Sequence, residues 1–197
     1  MARRGGTRER ILREALRLFA ERGFREATVG DIERAAGLAP RRGGFYRHFP
    51  GKEAVLEATV EHHARDLEGF AGEAEGVRGR DRRARLRGLA RWALAFLRRQ
   101  GPLLRVLARE GDRIPAVRRR VLARLVDPGY GLARREFGRL RPGARPAEVR
   151  GVAAVALGAL VHFVEDEAAF GVPPARAPER AFVDAWAALL LAWARAR

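Results

Sequence analysis

The sequence has 197 residues, of which 47% are hydrophobic, and it carries a formal net charge of +16. This apolar content is enough for a packed core and excludes a disordered chain. The sequence contains no cysteine, serine or asparagine, which excludes disulfides, thiolate metal sites and cysteine or serine nucleophiles. The strong positive charge favours an anionic partner, and nucleic acid is the first candidate.

Basic residues are concentrated towards the N-terminus. Residues 1–52 carry 13 basic and 6 acidic residues, whereas residues 53–197 carry 27 and 18. The charged N-terminus has no signal-peptide pattern, and the longest apolar stretches, 151–164 and 185–194, are shorter than the about 20 residues of a membrane span. We therefore expect a cytoplasmic protein that does not contact a membrane.

The first three predicted elements form a helix-turn-helix. Apolar residues at helical spacing predict a helix over 7–22, with Thr7 as its N-cap, and Thr28 caps a second helix over 29–36. Pro40 stands where a first helical position is expected and would begin a third helix after a short turn. Such a motif places its last helix in a major groove of DNA.

In the rest of the chain, the spacing of apolar residues predicts only helices. Their expected bounds are 52–70, 82–100, 102–110, 115–140 with a break near 127–129, 146–170 and 178–195. No alternating strand pattern or internal repeat is present in the sequence, so the predicted fold class is all-α. We expect a helix-turn-helix domain over 1–65 and a larger helical domain over 66–197.

The stretch "RRGGFYRHFPGKE" at 41–53 combines two adjacent glycines with the densest group of cationic residues. A glycine inside a helix costs about 1 kcal/mol relative to alanine. Phe45 and Phe49 are one helical turn apart and would pack inward, whereas Tyr46 and Arg47 would point elsewhere. A flexible RGG-like segment is the alternative, but a single copy between two helices does not favour it.

Three stretches, "RERILREALRLFAERGF", "TVGDIERAAG" and "GLAPRRGGFYRHFPGKEAVL", resemble the DNA-binding domain of the TetR family of bacterial repressors. The resemblance covers residues 7–60 and includes the Ile-x-x-Ala-Ala-Gly corner and the aromatic-Tyr-x-His-Phe block. The chain departs from the family pattern at Ala39, which replaces a hydroxyl residue, and "PRRGG" adds two residues. This departure leaves the register of the base contacts open.

The resemblance implies a DNA-binding surface in which Arg41 and Arg42 are the candidate base readers. An arginine fork can bond both O6 and N7 of guanine, but arginines at helix starts also contact phosphates, so both roles stay open. The full expected set is Thr28, Pro40, Arg41, Arg42, Gly43, Gly44, Tyr46, Arg47, His48 and Lys52.

Phosphate contacts are expected from Tyr46, His48 and Lys52, and these position a protein without reading sequence. Lys52 is the only lysine among 40 basic residues. It stands at a helix N-terminus, where a cation is unfavourable to the helix dipole. Thr28 would either cap its helix alone or also present the amides of that helix to a phosphate.

The resemblance also implies that the larger domain binds a small, mostly apolar effector and forms a homodimer. The expected effector-lining residues are Trp92, Phe96, Leu103, Leu107, Tyr130, Phe137, His162 and Phe163. The expected dimer residues are Leu157, Leu160, Val161, Val164, Trp186, Leu189, Leu190 and Trp193. Packing inside the core is the alternative for both sets.

The predicted function is a ligand-responsive transcriptional regulator, by family default a repressor, that binds a palindromic operator as a dimer. The alternative is a basic protein that binds nucleoid DNA or RNA without sequence preference. We expect no enzymatic activity, cofactor or metal, because the acidic residues 165–167 near His162 lack a paired nucleophile or metal set. The sequence does not identify the effector or the operator, nor does it distinguish repression from activation.

Overall fold

The computed structural model describes residues 6–40, 42–76 and 81–196, with only the backbone described for helical residues 70–76. Within these residues every regular element is helical, which confirms the all-α prediction. The chain forms two compact units. The first contains the residues up to Arg65 together with Pro102–Leu125, and the second contains Asp66–Gly101 together with the residues from Val126 onwards. The first unit therefore includes a later segment that the expected domain 1–65 lacks.

Eight α-helices occur in the described residues. They are α1 (Thr7–Arg22), α2 (Val29–Ala35), α3 (Lys52–Gly76), α4 (Arg82–Glu110), α5 (Pro115–Val121), α6 (Asp127–Leu140), α7 (Pro146–Phe170) and α8 (Glu179–Arg195). A short π-helical stretch, Leu122–Val126, precedes α6, and a 3₁₀ turn, Pro174–Arg176, precedes α8. The bounds of α1 and α7 are those predicted.

Some boundaries differ from the predicted ones for local reasons. The two helices expected on either side of Pro102 form the single helix α4, which contains the proline. Pro128 lies in α6 directly after the π-helical stretch, whose altered hydrogen bonding accommodates a residue without an N–H. The break therefore falls earlier, in the π-helical stretch. Thr7 is the first residue of α1 and not its cap, a position that Gly6 takes without a side-chain hydrogen bond.

The first unit has a core built on the apolar face of α1. Ile11, Ala15 and Phe19 are fully buried on this helix. Ile32 of α2 is also fully buried, and α1 packs against α2. Phe19 contacts the ring of Phe24 edge-on at a centroid distance of 5.0 Å. These apolar residues hold the corner between the first two helices, which carries the functional candidates described below.

The second unit is a helical core in which α6 packs against α7 and Trp186 of α8 lies between them. The indole Nε1 of Trp186 donates a hydrogen bond to the carbonyl oxygen of Ala156 at 2.9 Å, and its ring is 6.1 Å from that of Phe137. The buried residues include Leu86, Leu94, Phe137, Leu140, Ala153, Leu160, Phe163, Val183, Trp186 and Leu190.

Helix α7 is longer than the apolar stretch from which it was predicted. It has 25 residues, and its most apolar 18-residue window has a mean hydropathy of 1.6. By length and composition alone it could cross a membrane, although the core helix of a globular protein passes the same test. Ala153, Leu160 and Phe163 on this helix are buried in the core of the second unit.

Candidate nucleic-acid interface

Residues 42–49, which we call the turn segment, form successive turns where a third helix was predicted. Gly43 has a φ of +69°, a left-handed conformation that a right-handed helix cannot contain. The Arg47 N–H donates to the Gly43 carbonyl at 3.2 Å, and the Phe49 N–H donates to the Phe45 carbonyl at 3.0 Å. The prediction of a regular helix here is therefore wrong, and the chain retains short helix-like turns.

The turn segment separates buried aromatic residues from exposed polar ones, as predicted. Phe45 and Phe49 are buried, with their ring centroids 5.9 Å apart. The guanidinium of Arg8 lies 4.9 Å from the centroid of the Phe49 ring. Tyr46 is 61% exposed. The other exposed residues of the expected DNA-binding set around this segment are Pro40, Arg42, Arg47 and His48. Arg41 lies outside the described residues.

A buried glutamate, whose role no sequence pattern indicated, connects α2 to the turn segment. Glu33 is only 2% exposed, and its Oε1 accepts a hydrogen bond from the Phe45 N–H at 3.1 Å. Gly44 is buried beside this contact. A Cβ on Gly44 would lie 3.3 Å from Cδ1 of Leu38 and 3.7 Å from Oε1 of Glu33. A side chain at the second glycine would press on Leu38, and the first glycine has the backbone conformation that favours glycine.

Thr28 caps α2 as predicted. Its Oγ1 accepts from the Asp31 N–H at 3.1 Å, and the Asp31 carboxylate accepts from the Thr28 N–H at 3.0 Å. This reciprocal pair is a capping box. The Thr28 hydroxyl also donates to the carboxylate at 2.6 Å. These bonds, from the hydroxyl first and the backbone second, lower the pKa of the Asp31 carboxyl below its ordinary value.

The ammonium group of Lys52 forms hydrogen bonds within the first unit. Its Nζ donates to the backbone carbonyls of Phe24, Arg25 and Ala27 at 2.7, 3.2 and 2.9 Å. An ammonium group has three N–H donors, so these contacts use all of them. Burial lowers the pKa of Lys52, and the carboxylates of Glu110 and Glu26 oppose this shift. The phosphate contact expected for Lys52 stays a prediction, because it would require at least one of these bonds to be exchanged.

The loop between α1 and α2 is also held by the end of α4. Glu110 is buried, and its Oε1 accepts from the Phe24 N–H at 2.7 Å. Arg109 donates to the Ala20 carbonyl at the end of α1 at 3.4 Å. These contacts could not be predicted from spacing or charge, because the partners are more than 80 residues apart along the chain.

The expected effector-lining residues do not share one environment: some are buried, some are half-buried and one is exposed. Trp92 and Phe96 stack at a centroid distance of 5.1 Å. Phe137 and Phe163 are core residues of the second unit, and Tyr130 packs against that core half-buried. Three residues lie elsewhere: Leu103 is buried and Leu107 half-buried in the first unit, and His162 is exposed. An effector site built from this set therefore stays a prediction.

Four of the expected dimer residues belong to the core of the second unit, which is the alternative that the sequence left open. They are Leu160, Val164, Trp186 and Leu190. Three others are half-buried, namely Leu157, Val161 and Trp193. Leu189 is 72% exposed, and Val155, which the sequence analysis missed, is 76% exposed. The exposed positions Gly151, Ala154 and Gly158 accompany Val155 on α7.

Among the described residues, no group of three or more histidine, cysteine, aspartate or glutamate side chains could hold a metal ion. His162 lies 3.7 Å from Asp166, one turn further along α7.

The corner of α1 and α2, followed by exposed arginine, histidine and tyrosine side chains, favours a protein of the helix-turn-helix class. Residues 11–59 match the family described as bacterial regulatory proteins, tetR family. The similarity to this family therefore lies in the N-terminal part of the chain, which contains α1, α2 and the turn segment.

Curated relatives match the chain over its N-terminal part. The HTH-type transcriptional repressor KstR2 of Rhodococcus jostii is 40% identical over 86 residues, which are 44% of this chain and 41% of that protein. The HTH-type transcriptional regulator YerO of Bacillus subtilis is 39% identical over 56 residues, 28% of this chain and 19% of that protein. The chain thus spans less than half the length of these relatives.

Solved structures share the fold over nearly the whole chain. SCO4454, a TetR-family transcriptional regulator from Streptomyces coelicolor, superposes with a TM-score of 0.75 at 20% identity, covering 96% of both chains. GusR of Salmonella enterica superposes with a TM-score of 0.68 at 23% identity, again covering 96% of both chains. This similarity extends the shared fold to the second unit.

Proposed function

We propose that the protein is a transcriptional regulator that binds a palindromic DNA operator as a homodimer and is released by a small, mostly apolar effector. The observation that carries the proposal is the coincidence of the tetR-family match over 11–59 with an exposed cationic turn segment. The named relatives are transcriptional regulators, and KstR2 is a repressor. We propose repression for this chain as well, a location in the cytoplasm, and no catalytic role.

The turn segment would enter the major groove. Arg42 is the proposed base reader, because its exposed guanidinium extends from the start of the segment and can bond guanine in a bidentate manner. Tyr46, Arg47 and His48 are exposed on the same segment and are proposed to contact phosphates. Thr28 marks the nearby start of α2, although its hydroxyl is already bonded to Asp31.

Dimerisation would use the exposed apolar faces of α7 and α8. Val155 and Leu189 are large apolar side chains that remain more than 70% exposed, and such residues in a group favour a protein interface. Small residues at Gly151, Ala154 and Gly158 would let a second helix approach α7 closely. Two-fold symmetry of this dimer would suit an inverted-repeat operator.

Effector control requires that the ligand prefer the state that does not bind DNA. A preference of a few kcal/mol is enough to shift most molecules to the state that does not bind DNA. The aromatic residues of the second unit, with Trp92 stacked on Phe96, supply apolar surface suited to such a ligand. This assignment rests on composition and burial, and we propose no particular compound.

Selection of bound duplexes from a random pool tests the proposal. We expect an enriched inverted repeat, and an affinity for it that exceeds the affinity for random duplex at every salt concentration. Equal affinities with equal salt slopes would instead show a protein that binds nucleic acid without sequence preference.

The base-reading role of Arg42 has its own test. Arg42→Ala should relax the preference at one operator position, at a cost of about 1–3 kcal/mol for that base pair. Arg119→Ala, which removes an exposed arginine of α5, is the matched control and should leave the preference unchanged. A uniform loss of affinity for all duplexes in Arg42→Ala would assign Arg42 to phosphate contact instead.

A further inference from the structure

We propose that Glu33 is a positioning residue: it sets the orientation of the turn segment, and through it the sequence preference of the protein. This inference rests on the proposed function, because it concerns the same DNA-binding surface. Glu33 does not contact DNA in this proposal. It acts through the backbone of Phe45.

The first observation is the hydrogen bond itself. Glu33 Oε1 accepts from the Phe45 N–H at 3.1 Å in a buried environment. The Phe45 carbonyl in turn accepts from the N–H groups of His48 and Phe49 at 2.9 and 3.0 Å. Phe45 thus begins a helix-like turn, and the first N–H groups of such a turn have no partner within it. The glutamate supplies that partner from α2, so it caps the turn from outside.

The second observation is that Glu33 holds both sides of the corner. Its backbone carbonyl accepts from the Leu38 N–H at 2.8 Å, just after the end of α2. Its side chain holds Phe45 on the far side of the corner. The residues between these two contacts include the proposed base reader, Arg42. Through these two hydrogen bonds, Glu33 sets the distance between Leu38 and Phe45, which are the two ends of the connection.

The third observation is the packing around the bond. Gly44 is buried, and a Cβ there would lie 3.3 Å from Leu38 Cδ1 and 3.7 Å from Glu33 Oε1. The segment can approach α2 this closely because Gly44 has no side chain. The backbone of Phe45 is consequently held by a short polar contact and by steric contact at the same place.

The functional consequence follows from the difference between base and phosphate contacts. A bidentate arginine–guanine pair requires defined distances and angles, whereas phosphate contacts carry no sequence information and depend mainly on charge. If the Phe45 N–H loses its acceptor, Arg42 keeps its charge, and Tyr46 and Arg42 both stay exposed, but their side chains lose their fixed direction. Sequence preference should therefore fall further than overall affinity.

The test compares Glu33→Ala, Glu33→Gln and the control Glu53→Ala, which removes an exposed glutamate of α3. Affinities are measured for the selected operator and for random duplex over a salt series, and unfolding is followed by circular dichroism. In Glu33→Ala the ratio of the two affinities should fall at least about fivefold, with the salt slope unchanged. Glu33→Gln retains a carbonyl acceptor and should keep the ratio within about threefold of the wild type.

Several outcomes would overturn the inference. An unchanged ratio in Glu33→Ala refutes the positioning role, and an equal loss for both duplexes shows a role in stability alone. If Glu33→Gln behaves like Glu33→Ala, the acceptor is not what matters. If Glu33→Ala does not fold, Glu33→Asp, whose shorter side chain withdraws the acceptor from the Phe45 N–H, should lower the ratio, and a normal ratio there refutes the role. If the wild type itself shows no preference, the proposed function fails first, which is a distinguishable result.

Discussion

Lys52 was predicted to contact a phosphate because of its charge, but in the structure its ammonium group donates hydrogen bonds to backbone carbonyls. Its ammonium stands at the N-terminus of α3, where the helix dipole is unfavourable to a cation. The three carbonyls of Phe24, Arg25 and Ala27 supply the compensating negative ends of dipoles. They also fix the loop that leads to the capping box of α2. A structural role for Lys52 is thus supported by geometry, and its phosphate role by the resemblance alone.

Lys52→Ala should therefore lower the free energy of unfolding by about 1–3 kcal/mol, because three carbonyls lose a charged donor. Urea denaturation measures this change. We expect the slope of log affinity against log salt to stay the same, since no phosphate contact is lost. Arg25→Ala, which removes an exposed charge from the same loop, is the control for stability. A decrease of about one unit in the slope, with stability unchanged, would restore the phosphate role.

Asp31 should make stability depend on pH in the acid range. The pKa of its carboxyl in the folded protein lies below the ordinary value of 3.8. A depressed carboxyl pKa contributes stability above the unfolded-state value and loses it as pH falls through the folded-state value. The melting temperature of the wild type should therefore exceed that of Asp31→Ala above pH 4. The difference should shrink as the pH falls below 3.8, and a constant difference would refute the assignment.

At the scale of elements, periodicity predicted the helices well where the apolar face is regular. The bounds of α1 and α7 agree with the prediction, apart from the N-cap of α1, because buried residues recur at helical spacing on both. The turn segment was predicted wrongly, since the left-handed backbone at Gly43 cannot be read from apolar spacing. The sequence predicted its inward phenylalanines and outward tyrosine but not Glu33, whose partner is twelve residues away in a buried contact.

The left-handed conformation of Gly43 gives a test at the level of this element. Among the described residues other than its two chain neighbours, no atom lies within 4 Å of a Cβ placed there, so alanine would meet backbone strain without a clash with them. Gly43→Ala should cost about 1–2 kcal/mol of stability. Gly51→Ala is the matched control, because it also has open space but no positive φ, and it should cost less. Equal thermal stability of the two variants would contradict the strain argument.

At the scale of the whole molecule, the proposed dimer interface depends on which apolar residues of α7 and α8 face outward, and less on how many apolar residues these helices contain. The predicted dimer set mixed two faces of the last helices, because a strongly apolar helix gives little indication of which side is buried. The structure separates them: Trp186 and Leu190 lie in the core of the second unit, whereas Val155 and Leu189 face outward. Our dimer proposal therefore now rests on the outward pair.

A charge introduced on this outward surface should dissociate the dimer. Val155→Glu and Leu189→Glu are expected to sediment as monomers at micromolar concentration while keeping their helical circular dichroism. The wild type should sediment as a dimer. Leu122→Glu introduces the same charge at another exposed leucine, 51% exposed in the first unit, and should remain dimeric. A monomeric wild type, or dimers formed by both Val155→Glu and Leu189→Glu, would overturn the proposed interface.

The division of the turn segment into buried anchors and exposed side chains has a consequence for how such a protein diverges. Phe45, Phe49 and the backbone contact of Glu33 hold its conformation, whereas the side chains of Arg42, Tyr46 and Arg47 are exposed. Mutations at the exposed positions can therefore accumulate without unfolding the chain. A library randomised at these three positions alone should yield folded variants with new target sequences, so that one scaffold can acquire many specificities.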